Sequence, residues 1–157
     1  MQEPSIVHNT FTVERTYPSP RERVFAAFSE ASEKVLWYAA GDLRQVDEYS
    51  LDFRVGGAEK LRARLKPGTP FPGAVLFYDN RFEDIVPNER IVITSTMTFV
   101  DTRVSSSLET FEFLATDEGT NLVFTHQGAF FPGSDGPERR EAGWRALLDR
   151  LGAALAK

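Results

Sequence analysis

The sequence predicts an α+β fold in which a curved antiparallel sheet grips one long C-terminal helix. Three observations carry that expectation. Residues 136–156 place Trp144, Leu147, Leu148, Leu151, Ala154 and Leu155 on a single stripe at helical period, with charged residues mostly elsewhere. Residues 42–130 are a succession of alternating stretches punctuated by Gly, Pro, Asn and Asp. Ahead of them stand one further alternating stretch and a short helical signal. Such a sheet leaves one face to water and needs one apolar face covered, which the terminal helix supplies.

Taken in order, Val7 to Tyr17 alternates Phe11, Val13 and Arg15 against threonines and Glu14, as a first strand does. Ser19-Pro20-Arg21-Glu22 reads as a helix start, with Ser19 as cap and Val24, Phe25 and Phe28 on one face. Ser29 to Trp37 forms a second short helix with Val35, Leu36 and Trp37 turned inward, ending at Ala39-Ala40-Gly41. Glu48 to Val55 and Glu59 to Leu65 make a hairpin about Gly56-Gly57. Lys66 to Gly73, with Pro67, Pro70 and Pro72, is a loop whose Phe71 is either exposed or a lid. Ala74 to Ile85 and Arg90 to Phe99 are strands joined at Pro87-Asn88-Glu89, and Asp101 to Ser106 is a turn. Leu108 to Ala115 and Asn121 to Phe130 pair about Asp117-Glu118-Gly119, giving about six or seven strands in all. Pro137 suits the first turn of the closing helix, where Ser134 or Asp135 accepts from free amides. A rod of that length is roughly 30 Å long and spans a sheet.

At 157 residues the chain is expected to be one domain, 1–157, large enough to bury its apolar surface without disulfides or metal. Lys plus Arg is 18 against 23 for Asp plus Glu, a formal charge of −5 that argues against nucleic acid. There is no cysteine, hence neither disulfide nor thiolate chemistry. Met1 to Asn9 lacks a basic-then-apolar leader, and no run of about eighteen apolar residues occurs, so membrane insertion is not expected and a cytoplasmic location is. Thirteen Phe beside two Met mean that aromatic bulk has to be housed inside.

The candidate site residues follow from that bulk. Phe25, Phe28, Trp37, Phe53, Phe77, Phe111, Phe113, Phe124 and Trp144 either fill a core or, in part, line an apolar pocket with a few placed polar groups. Strand parity puts Glu109 on the face of Phe111 and Phe113, and His126 on that of Phe124. His126 is the side chain whose ordinary pKa suits proton exchange near neutrality. A His126–Glu109 pair acts as base or shuttle, or merely satisfies two buried groups. Metal is poorly supported, because the two histidines are distant and Glu83 and Asp84 point to opposite strand faces. Ser105, Ser106 and Ser107 read as a polar turn without a nucleophile elbow. Arg139 and Arg140 read as a solvated helix face, and Asp52 with Arg54 as a weak surface pair.

Several stretches together resemble a known family. They are Ser-Pro-Arg-Glu-Arg-Val-Phe at 19–25, Trp37-Tyr38, Asp52-Phe53-Arg54-Val55-Gly56-Gly57, residues 84–91, Gly119-Thr120, and Gly143-Trp144 with Leu147 and Leu148. In order and spacing they are similar to the START-like (SRPBCC) superfamily, and within it to the branch named after the C-terminal domain of the heat-shock-protein-90 ATPase activator. The resemblance covers roughly residues 8–156. It implies a helix-grip fold whose sheet and terminal helix enclose an apolar cavity. It does not imply one function, since members include lipid carriers, cyclases, hormone receptors and co-chaperone domains. The chain has no room for the separate N-terminal domain of the eukaryotic co-chaperone.

The expectation is therefore a monomer or homodimer that binds a hydrophobic or amphipathic small molecule without a cofactor. The lining would come from the aromatic set with Leu148, and Glu109 and His126 would orient the guest. A stress-linked module engaging a chaperone protein, and a cyclase- or dehydratase-like enzyme using His126, are the alternatives.

Overall fold

The computed structural model describes residues 1–157. Seven strands form one antiparallel sheet: β1 Val7–Tyr17, β2 Arg44–Leu51, β3 Ala58–Leu65, β4 Val75–Val86, β5 Arg90–Phe99, β6 Thr102–Thr116 and β7 Gly119–Phe130. Their spatial order is β1-β7-β6-β5-β4-β3-β2, so the first strand docks beside the last and the other six run as a meander. Between β1 and β2 lie α1 (Arg21–Ser29), α2 (Ala31–Lys34) and a π-helical turn over Val35–Ala39. The closing helix α3 (Pro137–Leu155) lies in the concavity, which makes this the helix-grip fold.

The reasons for the packing are local. Arg140, Trp144, Leu148 and Leu151 recur at helical spacing and are the buried residues of α3. The Tyr17 hydroxyl donates to the Leu148 carbonyl at 2.7 Å, and the Arg15 guanidinium meets Asp149 at 2.8 Å, so β1 is tied to the helix at two levels. Trp37 is held against α1 by its indole N–H, which donates to the Ala27 carbonyl at 2.9 Å.

Four expectations are corrected. Ser19 does not cap α1; the flanking residue is Pro20, no side chain caps the helix, and the Ser19 carbonyl instead accepts from the Thr120 hydroxyl at 2.7 Å. Leu36 is 60% exposed, because the π-helical turn buries Trp37, Tyr38 and Ala39 instead. The turn before β6 is confined to Val100 and Asp101, so Ser105 and Ser107 are strand residues and both are buried. Arg140 is buried rather than solvated, whereas Arg139 stays exposed.

Candidate functional site

Along the concave face the sheet changes from apolar to polar. At one end Phe111, Phe113, Phe124 and Leu122 pack with Phe28, Trp37 and Leu148, all of them at most 1% exposed. Phe28 meets Phe111 and Phe113 edge-on at ring separations of 5.1 Å. Towards the other end the inward positions hold Ser95, Ser105, Ser107, Glu109, Asn80, Glu59 and His126, again buried. Buried polar groups need partners, and two clusters supply most of them.

In the first cluster Lys34 from α2 meets Glu59 from β3 at 2.7 Å, with side-chain exposures of 2% and 0%. The Tyr49 hydroxyl donates to Glu59 Oε2 at 2.7 Å, and the Asn80 amide donates to Glu59 Oε1 at 3.0 Å and to the Tyr38 oxygen at 3.1 Å. The ammonium also sits 4.6 Å from the Tyr38 ring centre, where the π face attracts it. In the second cluster Arg140 is gripped bidentately by Asp135, at 2.7 and 2.8 Å, and donates to the Ser105 hydroxyl at 2.9 Å.

Glu109 lies under the field of both clusters. Burial raises its carboxyl pKa above the ordinary value, while a hydrogen bond from the Ser107 hydroxyl (2.9 Å), Arg140 and Lys34 pull the other way. His126 Nε2 is 3.9 Å from Glu109 Oε2, too far for a hydrogen bond, and neither ring nitrogen has a partner. The imidazole stacks on Phe11 at 4.7 Å and is fully buried. Burial, with Arg140 adding to it, pushes its pKa down to about 4, so the ring is neutral at neutral pH.

Beside these groups α3 does not seal the sheet. A cleft of about 550 Å³ opens between the helix and strands β3 to β6. Trp144, Leu147, Leu76, Tyr38 and Tyr78 give it apolar walls, Glu109 and Ser95 lie in its lining, and Arg44, Arg139 and Arg150 border it too. No three His, Asp or Glu side chains gather as metal ligands.

Of the residues expected to line a pocket, Trp144 and Glu109 do so. Phe25, Phe28, Trp37, Phe111, Phe113, Phe124 and Leu148 belong to the close-packed core, and Phe53 packs at its far edge against Phe25 and Phe82. His126 stands behind Glu109 rather than in the cleft. Phe77 is on the outer face of the sheet, opposite Arg62, whose guanidinium covers its ring at 4.8 Å. Phe77 alternates with Leu76, Tyr78, Asn80 and Phe82, which face inward; only beyond Phe82 does a bulge before Asp84 shift parity, so that Ile85, also odd, packs on the core. Leu76 and Tyr78 therefore replace Phe77 in the lining. Ser95 and Ser107 were not expected at the site; the signal that marks them is a polar residue in an apolar alternation, Ser95 among Ile91, Ile93 and Met97, and Ser107 beside Glu109.

A seven-stranded sheet closed over a terminal helix, with a half-polar cleft between them, defines a START-like helix-grip protein. The chain belongs to the family described as Activator of Hsp90 ATPase homolog 1-like protein, whose model matches residues 18–156. It is similar to a solved protein of Rhizobium leguminosarum, with 37% identity, a TM-score of 0.89 and 97% of each chain covered. A Rhizobium loti protein is 42% identical, with a TM-score of 0.84 over 96% of this chain and 99% of the other. The AHSA1 protein of Silicibacter pomeroyi, at 22% identity and a TM-score of 0.74 over 94% and 98% of the two chains, shares the fold. No curated protein matches the chain. No helix is long and apolar enough to cross a membrane.

Proposed function

We propose that this chain binds an amphipathic small molecule in the cleft between α3 and the sheet. One observation carries the reading: beside a close-packed aromatic core, an open hollow of about 550 Å³ combines apolar walls with a buried carboxyl. That volume falls within the roughly 300–1000 Å³ of sites for small organic ligands. Trp144 belongs to the wall, so a guest would alter its surroundings. Native mass spectrometry of protein purified from its own host is expected to find a retained organic adduct, and its removal to shift tryptophan emission. Emission and melting temperature that stay unchanged on delipidation, and on addition of apolar probes, would sink the reading.

Family membership supports a second reading, a protein partner of the chaperone type engaged through an outer surface. It predicts stimulation of a chaperone ATPase that survives filling of the cleft. The enzyme reading has less support, because His126 is not among the residues lining the cleft and is shut between the Phe11 and Phe130 rings.

A further inference from the structure

Four guanidinium groups line the cleft in a chain whose formal charge is −5. Arg140 is already neutralised by Asp135. The other three have no carboxylate partner: Arg44 donates to the Tyr38 carbonyl, Arg150 to those of Leu36 and Trp37, and Arg139 is exposed. Against them stand two lining carboxyls without a Lys or Arg partner, Asp42, which is exposed, and Glu109, which is buried. Guanidinium groups released from internal ion pairs are suited to bidentate capture of an oxyanion.

A second, independent feature lies on α3 between Arg139 and Trp144. Gly143 lines the cleft, and a Cβ built on it would meet nothing within 4 Å. Glycine inside a helix weakens it relative to alanine, so packing within the protein gives no reason for it here. Its missing side chain keeps open a path along the helix backbone. Arg139 and Arg150 stand towards opposite ends of this stretch, roughly 16 Å apart along the axis.

Further in, Glu109 is 5% exposed and its Oε1 takes no hydrogen bond, with buried Ser95 in the same lining. Lys34 and Arg140 already act on this carboxyl from both sides. A hydroxyl of the guest can donate to that free oxygen.

Resting on the binding reading above, we propose that the guest is an amphipathic anion. Its acid head, a carboxylate or a similar oxyanion, meets Arg44 and Arg150, which stand together beside the Leu36–Tyr38 carbonyls; its apolar body lies along Gly143, Trp144 and Leu147, and its far end approaches Glu109. The probes are decanoate, decanol and decyltrimethylammonium below their micellar concentrations, with binding read by calorimetry and tryptophan emission. Decanoate is expected to bind at least about tenfold more tightly than decanol, the worth of one charge-assisted hydrogen bond. That advantage should shrink as salt is raised. Arg150→Gln, checked for an intact melting transition, should lower decanoate affinity several-fold and leave decanol unchanged; Arg139→Gln, at the opposite end of the stretch, should leave both affinities unchanged. Gly143→Leu should abolish binding of both. Equal or tighter binding of decanol or the cation, still lost in Gly143→Leu, overturns the anionic assignment and leaves the cleft as a binding site. No binding of any probe, or binding indifferent to Gly143→Leu, overturns the cleft reading itself.

Discussion

His126 illustrates how burial decides what one side chain can do. Its folded pKa of about 4 lies below the ordinary 6.5, so between those values the unfolded chain binds more protons than the native one. The sign follows: the contribution is full above about pH 6.5 and is lost as pH falls towards 4, by an amount on the order of 3 kcal/mol. Arg140 strengthens the effect and Asp135 opposes it. Glu109, 3.9 Å away with a raised pKa, has the opposite sign, because protonation relieves its burial as pH falls. Comparison with His126→Phe isolates the imidazole. Urea unfolding of that variant is expected to lie within about 2 kcal/mol of wild type at pH 7, since the gain from removing two unpartnered nitrogens is set against the strain of a larger ring in a filled site. Its stability should fall less steeply between pH 6.5 and 4. Gly128 belongs to the same arrangement. A Cβ there would stand 2.8 Å from His126 Cε1 and 2.9 Å from a Phe130 ring carbon. Gly128→Ala should therefore cost about 1–3 kcal/mol in the same measurement, the range for overpacking a filled core.

Among the elements, α2 and β3 are joined by Lys34 and Glu59, and this junction has a definite energetic signature. Removing the cation alone strands a fully buried carboxylate, so Lys34→Met should destabilise by roughly 3–5 kcal/mol. Lys34→Met with Glu59→Gln keeps the acceptor for Tyr49 and removes the charge; chemical denaturation should recover at least half of the loss. Helix α3 gives a gain instead. Gly143→Ala should raise stability by about 0.5–1 kcal/mol, since the added methyl meets no atom and alanine favours the helix. These elements were unequally legible in the sequence. The terminal helix was readable because Trp144, Leu148 and Leu151 repeat at helical spacing, and the β6–β7 hairpin because Asp117-Glu118-Gly119 punctuates two strong alternations. Much of the cleft was not. Bulges at Phe82/Asp84 and Met97/Thr98 shift which parity faces inward, and composition does not mark where a ladder slips. The pairing of Lys34 with Glu59 joins distant stretches, and Arg140 is buried only because the turn before α3 brings Asp135 within 2.7 Å of it.

For the whole molecule, the division of the interior is what bears on function. Aromatic rings fill the α1 end to near-zero exposure, whereas the Arg140 end holds its polar side chains around a hollow that α3 leaves open. A guest bound there stabilises the native state by mass action, about 2.7 kcal/mol at one hundred times its dissociation constant. For a chain of this size that is a rise in melting temperature of several degrees. Gly143→Leu turns this into a test between modes of action. The leucine side chain enters open space, so the fold should persist with an unchanged circular dichroism spectrum, while the cleft is obstructed. If the protein works through a small guest, the variant should lose both the ligand-induced rise in melting temperature and the shift in Trp144 emission. If it works through an outer surface on a chaperone partner, it should stimulate that partner's ATPase as wild type does. A variant that keeps both responses would place the guest away from the part of the cleft that Gly143 lines.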